Sequence, residues 1–178
     1  MKHARAWSWG ALALLVVASG VVTPFVGSVA DATTQVPRCV ARQISVSVGL
    51  GDGAAGTIYF PITFHNKSAV TCRLVGIPVV QPATGPKFAA VGPAARRDVL
   101  VGRGGSVTLA KRSGKVTSAY GVAETGNYPA LLCGAARFDE LKITFYSGPS
   151  FSVNFGHDST CTKVASTHVT GIIAGTAG

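Results

Sequence analysis

The side chains able to do chemistry are few and scattered. His65, His157 and His168 could serve as bases or metal ligands, and Asp98, Asp139, Glu140 and Asp158 could orient them. A serine hydrolase needs a nucleophile, a base within hydrogen-bond reach and an acid behind the base. The sequence holds no G-x-S-x-G or comparable elbow to expose such a serine. Asp139 and Glu140 are adjacent, so on an extended strand they point to opposite faces, a poor geometry for acid and base work on one bond. His65 ends a strand pattern on its mixed face, where an exposed or hydrogen-bonded structural histidine is expected, and His157-Asp158 reads as part of a turn. Neither catalysis nor a cofactor is expected. Imidazoles from separate strand ends of a sandwich can nevertheless converge on one ion. An exported metal-binding protein using His65, His157 and His168 is therefore the alternative reading, although copper handling would usually bring methionines and the only one present is Met1.

The four cysteines, Cys39, Cys72, Cys133 and Cys161, suggest a different role. No C-x-x-C spacing occurs, so zinc ligation is not expected of them. An even count in an exported chain points to two disulfides, with three connectivities open. Export is read from the first residues. Lys2, His3 and Arg5 form a basic end, residues 10–22 are apolar, Pro24 breaks the run, and Ser28, Ala30 and Ala32 offer small-x-small cleavage positions. Residues 1–30 thus read as a secretory signal peptide, residues 31–38 as a flexible leader, and residues 39–178 as a single domain. The apolar run falls short of the length of about 20 residues that a span needs, so no stable transmembrane span is expected. The product is placed outside the cell or in the cell wall.

The chain carries a formal net charge of +9, and removal of Lys2 and Arg5 leaves 14 basic against 7 acidic residues, or +7. Arg96-Arg97 and Lys111-Arg112 are the adjacent basic pairs of the remainder. A nucleic-acid surface would need a basic stripe interleaved with aromatics, and none is present. A basic exported surface suits contact with an acidic cell-envelope polymer, a lipid or an exported protein.

These residues need a scaffold, and its period is two. Ile58, Phe60, Ile62 and Phe64 alternate with Tyr59, Pro61, Thr63 and His65, which predicts a half-buried strand. Residues 66–69 are turn formers and residues 71–77 rise again, so a central hairpin is expected. A first strand is expected over residues 43–48, followed by a flexible glycine-rich link at Gly49, Gly51, Gly53 and Gly56 that lacks the Lys-Ser/Thr of a phosphate loop. Short edge strands are expected around Val79-Val80 and residues 88–91, because Pro82 and Pro86 cannot donate to a ladder. An apolar piece over residues 98–101 and a turn at 103–105 come next. Residues 123–137 read as a long connection, the best place for a functional loop, with Leu131-Leu132 anchoring it to the core. A second hairpin joins Leu141, Ile143 and Phe145 to Phe151, Val153 and Phe155. No apolar recurrence at helical spacing appears, and turn signals fall about every 8 to 12 residues. The expected fold is all-β, an immunoglobulin-like antiparallel β-sandwich of about seven to ten strands stapled by two disulfides.

The wording of the centre is also informative. Cys39, Ala55-Gly56, Ile62-Thr63-Phe64-His65-Asn66-Lys67-Ser68 and Cys72-Arg73-Leu74-Val75-Gly76-Ile77-Pro78 resemble the DUF4232 domain, found in exported actinobacterial proteins. That family shows a cysteine, a strand ending in an xNxS-like turn and a C-x-L-x-G-[YF]-P stretch. Val107-Thr108-Leu109, Cys133 before Leu141-Lys142-Ile143, and Cys161 before the last strand follow the same order, so the resemblance covers residues 38–173. Ile77 stands where the family usually has an aromatic, and the lipoprotein cysteine of many relatives is missing. The resemblance implies an exported address and an actinobacterial, in particular mycobacterial, source that suits the Ala-, Gly- and Val-rich composition; it implies no biochemical function. Its cysteine order agrees with neighbour pairing, Cys39 with Cys72 and Cys133 with Cys161. This pairing would tie the first strand to the sheet of the central hairpin and the long loop to the approach of the last strand. Each bridge would close a loop of about 30 residues and contribute about 3.5 to 4 kcal/mol in the chain-entropy model.

Overall fold

Ile62 and Phe64 are wholly buried while Pro61, Thr63 and His65 remain half-exposed, so the period-two pattern of the sequence is the pattern of the folded strand. In the computed structural model, residues 35–99 and 105–174 are described. The expected signal peptide at residues 1–30, residues 31–34 of the expected leader and residues 100–104 of the expected strand and turn lie outside the described residues. The described residues fall in one compact unit, Thr34–Gly178. They form β1 (Ile44–Val48), β2 (Asp52–Ala54), β3 (Thr57–Asn66), β4 (Cys72–Val75), β5 (Val79–Thr84), β6 (Ala89–Ala90), β7 (Arg96–Asp98), β8 (Ser106–Leu109), β9 (Lys115–Ala123), β10 (Ala135–Thr144), β11 (Ser150–Cys161), β12 (Thr167–Thr170) and β13 (Ile173–Ala174). One helical turn, α1 (Ala130–Cys133), and two short 3-10 turns complete the order.

The larger sheet runs β1-β3-β9-β12-β7, with β2 added on β3 and β13 on β9; a second runs β11-β10-β5-β6, and β4 pairs with β8. These ladders are antiparallel except for β12 on β7, which is parallel. The two main sheets bury one core between them. Phe64 of β3 meets Phe145 at 5.2 Å and Phe151 of β11 at 6.0 Å, and Phe60 of β3 meets Phe155 of β11 at 4.7 Å. Phe64 and Phe145 are fully buried and each contributes roughly 1.5 to 3 kcal/mol through burial alone, while Phe60, Phe151 and Phe155 are partly buried against them. The fold is therefore all-β with several sheets. The immunoglobulin-like connectivity expected of it is not confirmed by this strand order.

Several local expectations are corrected. The central hairpin does not form: β3 pairs with β1, β2 and β9, whereas β4 leaves that sheet and pairs with β8. The reason is Asn66, whose fully buried side chain bonds to the carbonyls of Val70, Leu109 and Ala110 and pulls the chain around a corner. The glycine-rich link instead contains β2, closed on β3 by a two-residue turn in which Ala55 and Gly56 both have positive φ, as a type I′ hairpin requires. β5 is an interior strand despite Pro82. Its carbonyl accepts from Val91 N on the β6 side, so the missing N–H faces that side too, where β6 pairs only with Ala83 and Thr84. Pro61 uses the same solution on β3. Its carbonyl accepts from Gly49 N in the gap between the β2 and β1 ladders.

The second hairpin forms as expected, β10 on β11, with Leu141 opposite Val153 and Ile143 opposite Phe151. It starts earlier than expected, at Ala135, and its far strand runs through His157-Asp158, which is strand and not turn. Leu131 and Leu132 do not anchor the long connection; they are 86% and 58% exposed. Cys133, the buried residue of α1, takes that role through its disulfide to Cys161. Neighbour pairing of the cysteines holds, with Cα separations of 4.9 Å for Cys39–Cys72 and 4.5 Å for Cys133–Cys161. Such bridges fit a chain that folds outside a reducing cytoplasm. Among the described residues no helix is long and apolar enough to cross a membrane.

Candidate functional site

The register of the larger sheet sets five residues in one row across its outer face. Asp52 lies opposite Tyr59, Tyr59 opposite Gly121, Gly121 opposite His168, and His168 opposite Arg96. Paired residues share a face. Because Gly121 has no side chain, the His168 imidazole lies down over it and meets the Tyr59 ring edge-on at 5.2 Å. Burial lowers the His168 pKa below its ordinary value; Asp98 opposes the shift and Arg96 adds to it.

Beyond His168 the edge strand β7 supplies Arg96, Arg97 and Asp98, which with His168 and Val99 border a groove of about 460 Å³. Both arginines are exposed. Arg96 shares the outer face with His168, while Arg97, opposite the buried Val169, reaches the groove from the sheet edge; each guanidinium presents a planar fork of donors suited to carboxylate or phosphate. On the other side of Tyr59 the same face carries a second cleft, of about 470 Å³, over β3 and β9. What the arrangement can do is hold an acidic group at the β7 end.

The remaining predicted residues lie elsewhere. His65 is opposite Lys115 and His168 opposite Gly121 on the same strand β9, six residues apart and so separated by roughly 20 Å. His65 is half-buried, and its Nε2 donates to the Arg112 carbonyl at 3.1 Å, a structural tie. His157 belongs to the other main sheet, on β11, where it borders a shallow groove of about 300 Å³ with Arg137, Asp158 and Ser159. The three imidazoles are not brought together, and among the described residues no cluster of three His, Cys, Asp or Glu side chains could hold a metal ion.

A buried polar spot lies within the core. Tyr120 Oη is near the Thr167 hydroxyl, yet neither oxygen has a hydrogen-bond partner of sound geometry. Burial pushes the Tyr120 hydroxyl far above its ordinary pKa. Asp158 pairs with the inward-facing Phe138, so its carboxylate also leans toward this spot. Burial raises the Asp158 pKa, partly offset by the bond it accepts from Ser159 N at 2.7 Å.

Sequence reasoning found His168 and the Arg96-Arg97 pair but gave no reason to join them. The joining contact is parallel pairing between β12 and β7, some seventy positions apart in the chain, and no local pattern announces it. A family model described as Domain of unknown function (DUF4232) matches residues 39–171. No curated protein and no solved structure matches the chain.

Proposed function

We propose that the chain, which belongs to the DUF4232 family, is a secreted, non-catalytic binding module of the bacterial cell envelope. Its basic surface contacts an acidic polymer, lipid or protein partner. The observation that carries this reading is the groove at β7, where Arg96 and Arg97 stand exposed beside His168. Asp98 is the acid in its wall, so the cations outnumber it. The +7 balance of the chain beyond Arg5 supports the same sign of ligand. The non-catalytic reading is supported by the engagement of the histidines: His65 is tied to the Arg112 carbonyl and His168 is packed between Gly121 and Tyr59.

The test is retention on anionic envelope material at low salt and at about 0.3 M salt, where the Debye length has fallen below about 8 Å. Retention is expected at low salt and release at high salt. The double variant Arg96→Gln, Arg97→Gln should lose roughly tenfold in low-salt affinity, as two charge-assisted contacts predict. Absent binding at low salt, or binding indifferent to salt, would overturn the reading.

A further inference from the structure

An antiparallel sheet that faces water on one side is expected to be polar there, yet the cleft beside the arginine groove has chiefly apolar walls. Leu50, Pro61, Ala119 and Ile173 meet in it beside the ring of Tyr59, while the neighbouring Phe60 turns its own ring to the core side of β3. Two glycines make this arrangement possible. A β-carbon on Gly49 would press on the Pro61 ring at 2.8 Å, and one on Gly51 would meet Ile58 and Phe60 at 2.6 Å. Leu50 is thus held between two close backbone approaches and stands at the cleft mouth, 96% exposed. A leucine this exposed and this firmly flanked contributes nothing to the core; it widens the apolar wall.

The cleft has the volume of a small-ligand site. No lysine or arginine lines it, and Asp52 is its acid, so an anion by itself has no reason to enter. Tyr59 connects it to the groove, since its ring touches His168 and His168 lies opposite Arg96. From β3 to β7 is three strand spacings, or roughly 15 Å. Apolar cleft and cationic groove are therefore two ends of one surface, and the charge pattern selects an occupant with the same polarity.

We propose that this face binds a single-chain anionic lipid, with the alkyl chain in the cleft and the acidic head group at Arg96 and Arg97. The head-group half rests on the groove reading given above; the cleft half does not. Charge complementarity favours this occupant over a neutral apolar segment, which would leave the arginines without a role. It also favours it over a bare polyanion, which would leave the apolar cleft without one.

Amide chemical-shift mapping of the whole protein tests both halves. The probes are inorganic phosphate, dodecyl phosphate below its micelle concentration, and dodecanol as a neutral control. Dodecyl phosphate is expected to shift Leu50, Ala119 and Ile173 together with Arg96 and His168 along one saturation curve. Its affinity should exceed that of inorganic phosphate by about tenfold or more, the gain expected from burying several methylenes. Leu50→Ser with Ile173→Ser, both at exposed positions, should remove that gain and leave phosphate binding unchanged. Shifts confined to the groove, equal for dodecyl phosphate and phosphate, would overturn the cleft and leave the groove reading intact. Cleft shifts equal for dodecanol and dodecyl phosphate would overturn the role of the arginines in lipid binding. Absence of both sets of shifts would overturn the proposal and the groove reading together.

Discussion

Gly121 lies directly beneath the His168 imidazole: a β-carbon added at Gly121 would overlap the ring. The two residues are opposite each other on β9 and β12, and the ring they accommodate is the one that meets Tyr59. Gly121→Ala should therefore swing the imidazole off the sheet. The edge contact with Tyr59 would be lost, at a cost of about 1 kcal/mol, and the ring would regain solvent. NMR titration should then show the His168 pKa moving up toward its ordinary 6.5. An unchanged pKa in a folded variant would show that the glycine does not set the ring position.

The same ring makes stability depend on pH. Burial holds the folded-state pKa of His168 below 6.5, with Asp98 opposing and Arg96 reinforcing the shift and Tyr59 packed on the ring. A depressed folded pKa contributes stability that is complete above the unfolded value and is lost as pH falls through the folded one. The urea midpoint should accordingly be level above about pH 7 and fall as the solution is acidified past 6.5. His168→Gln should flatten that part of the curve. A variant with the wild-type slope would assign the pH dependence to another group.

Asp158 works in the opposite sense. Burial raises its pKa above 3.8 despite the Ser159 amide, so its contribution is fully present below 3.8 and is lost as pH rises through the folded value. The carboxylate stands opposite the buried Phe138, on the side of β11 where its charged form is disfavoured by burial. Asp158→Asn keeps an acceptor for Ser159 N and removes the charge. It should raise the melting temperature at pH 7, with the gain shrinking as the solution is acidified toward pH 4, within the range where a raised carboxyl titrates. A lowered melting temperature at pH 7 would show that the charge is stabilising in place.

Alternation was legible wherever one face of a strand meets the core, as at Ile62 and Phe64 or Leu141 and Ile143, because burial writes a period of two into the residue types. The cysteines were legible for the same kind of reason, a chemistry with few alternative uses outside the cytoplasm. Partner choice was not. The residues after Phe64 look like hairpin chemistry, and what sends β4 away from β3 is a set of carbonyls on Val70, Leu109 and Ala110. Two of those lie more than forty positions away. Exposed Leu131 and Leu132 misled in another way: they are apolar, and only the disulfide at Cys133 shows which side of α1 faces inward. The candidate face was half legible. His168, Tyr59 and Arg96-Arg97 stand out as residue types, but the glycine that lets the first two touch is silent in any local pattern.

Asn66 supports the sharpest stability prediction, because its side chain is wholly buried and used at both ends. Nδ2 faces the carbonyls of Val70 at 2.8 Å and of Leu109 and Ala110 at 3.2 Å, while Oδ1 accepts from Ser68 N at 3.0 Å and Ser68 Oγ at 2.7 Å. Asn66→Asp keeps the acceptor end and turns a donor into a second carboxylate oxygen aimed at three carbonyls. That should cost about 3 kcal/mol or more at pH 7, the range for a buried charge left without its partner. Asn66→Ala strands the same carbonyls without adding charge and should cost about 2 kcal/mol. Ser68→Ala removes one hydroxyl and should cost about 1 kcal/mol. Acidification should partly rescue Asn66→Asp and not Asn66→Ala, since a protonated carboxyl regains one donor for the three carbonyls. Urea unfolding of the three variants at two pH values checks both the order and the rescue. If Asn66→Asp proves as stable as Ser68→Ala, the corner is held by something other than this amide.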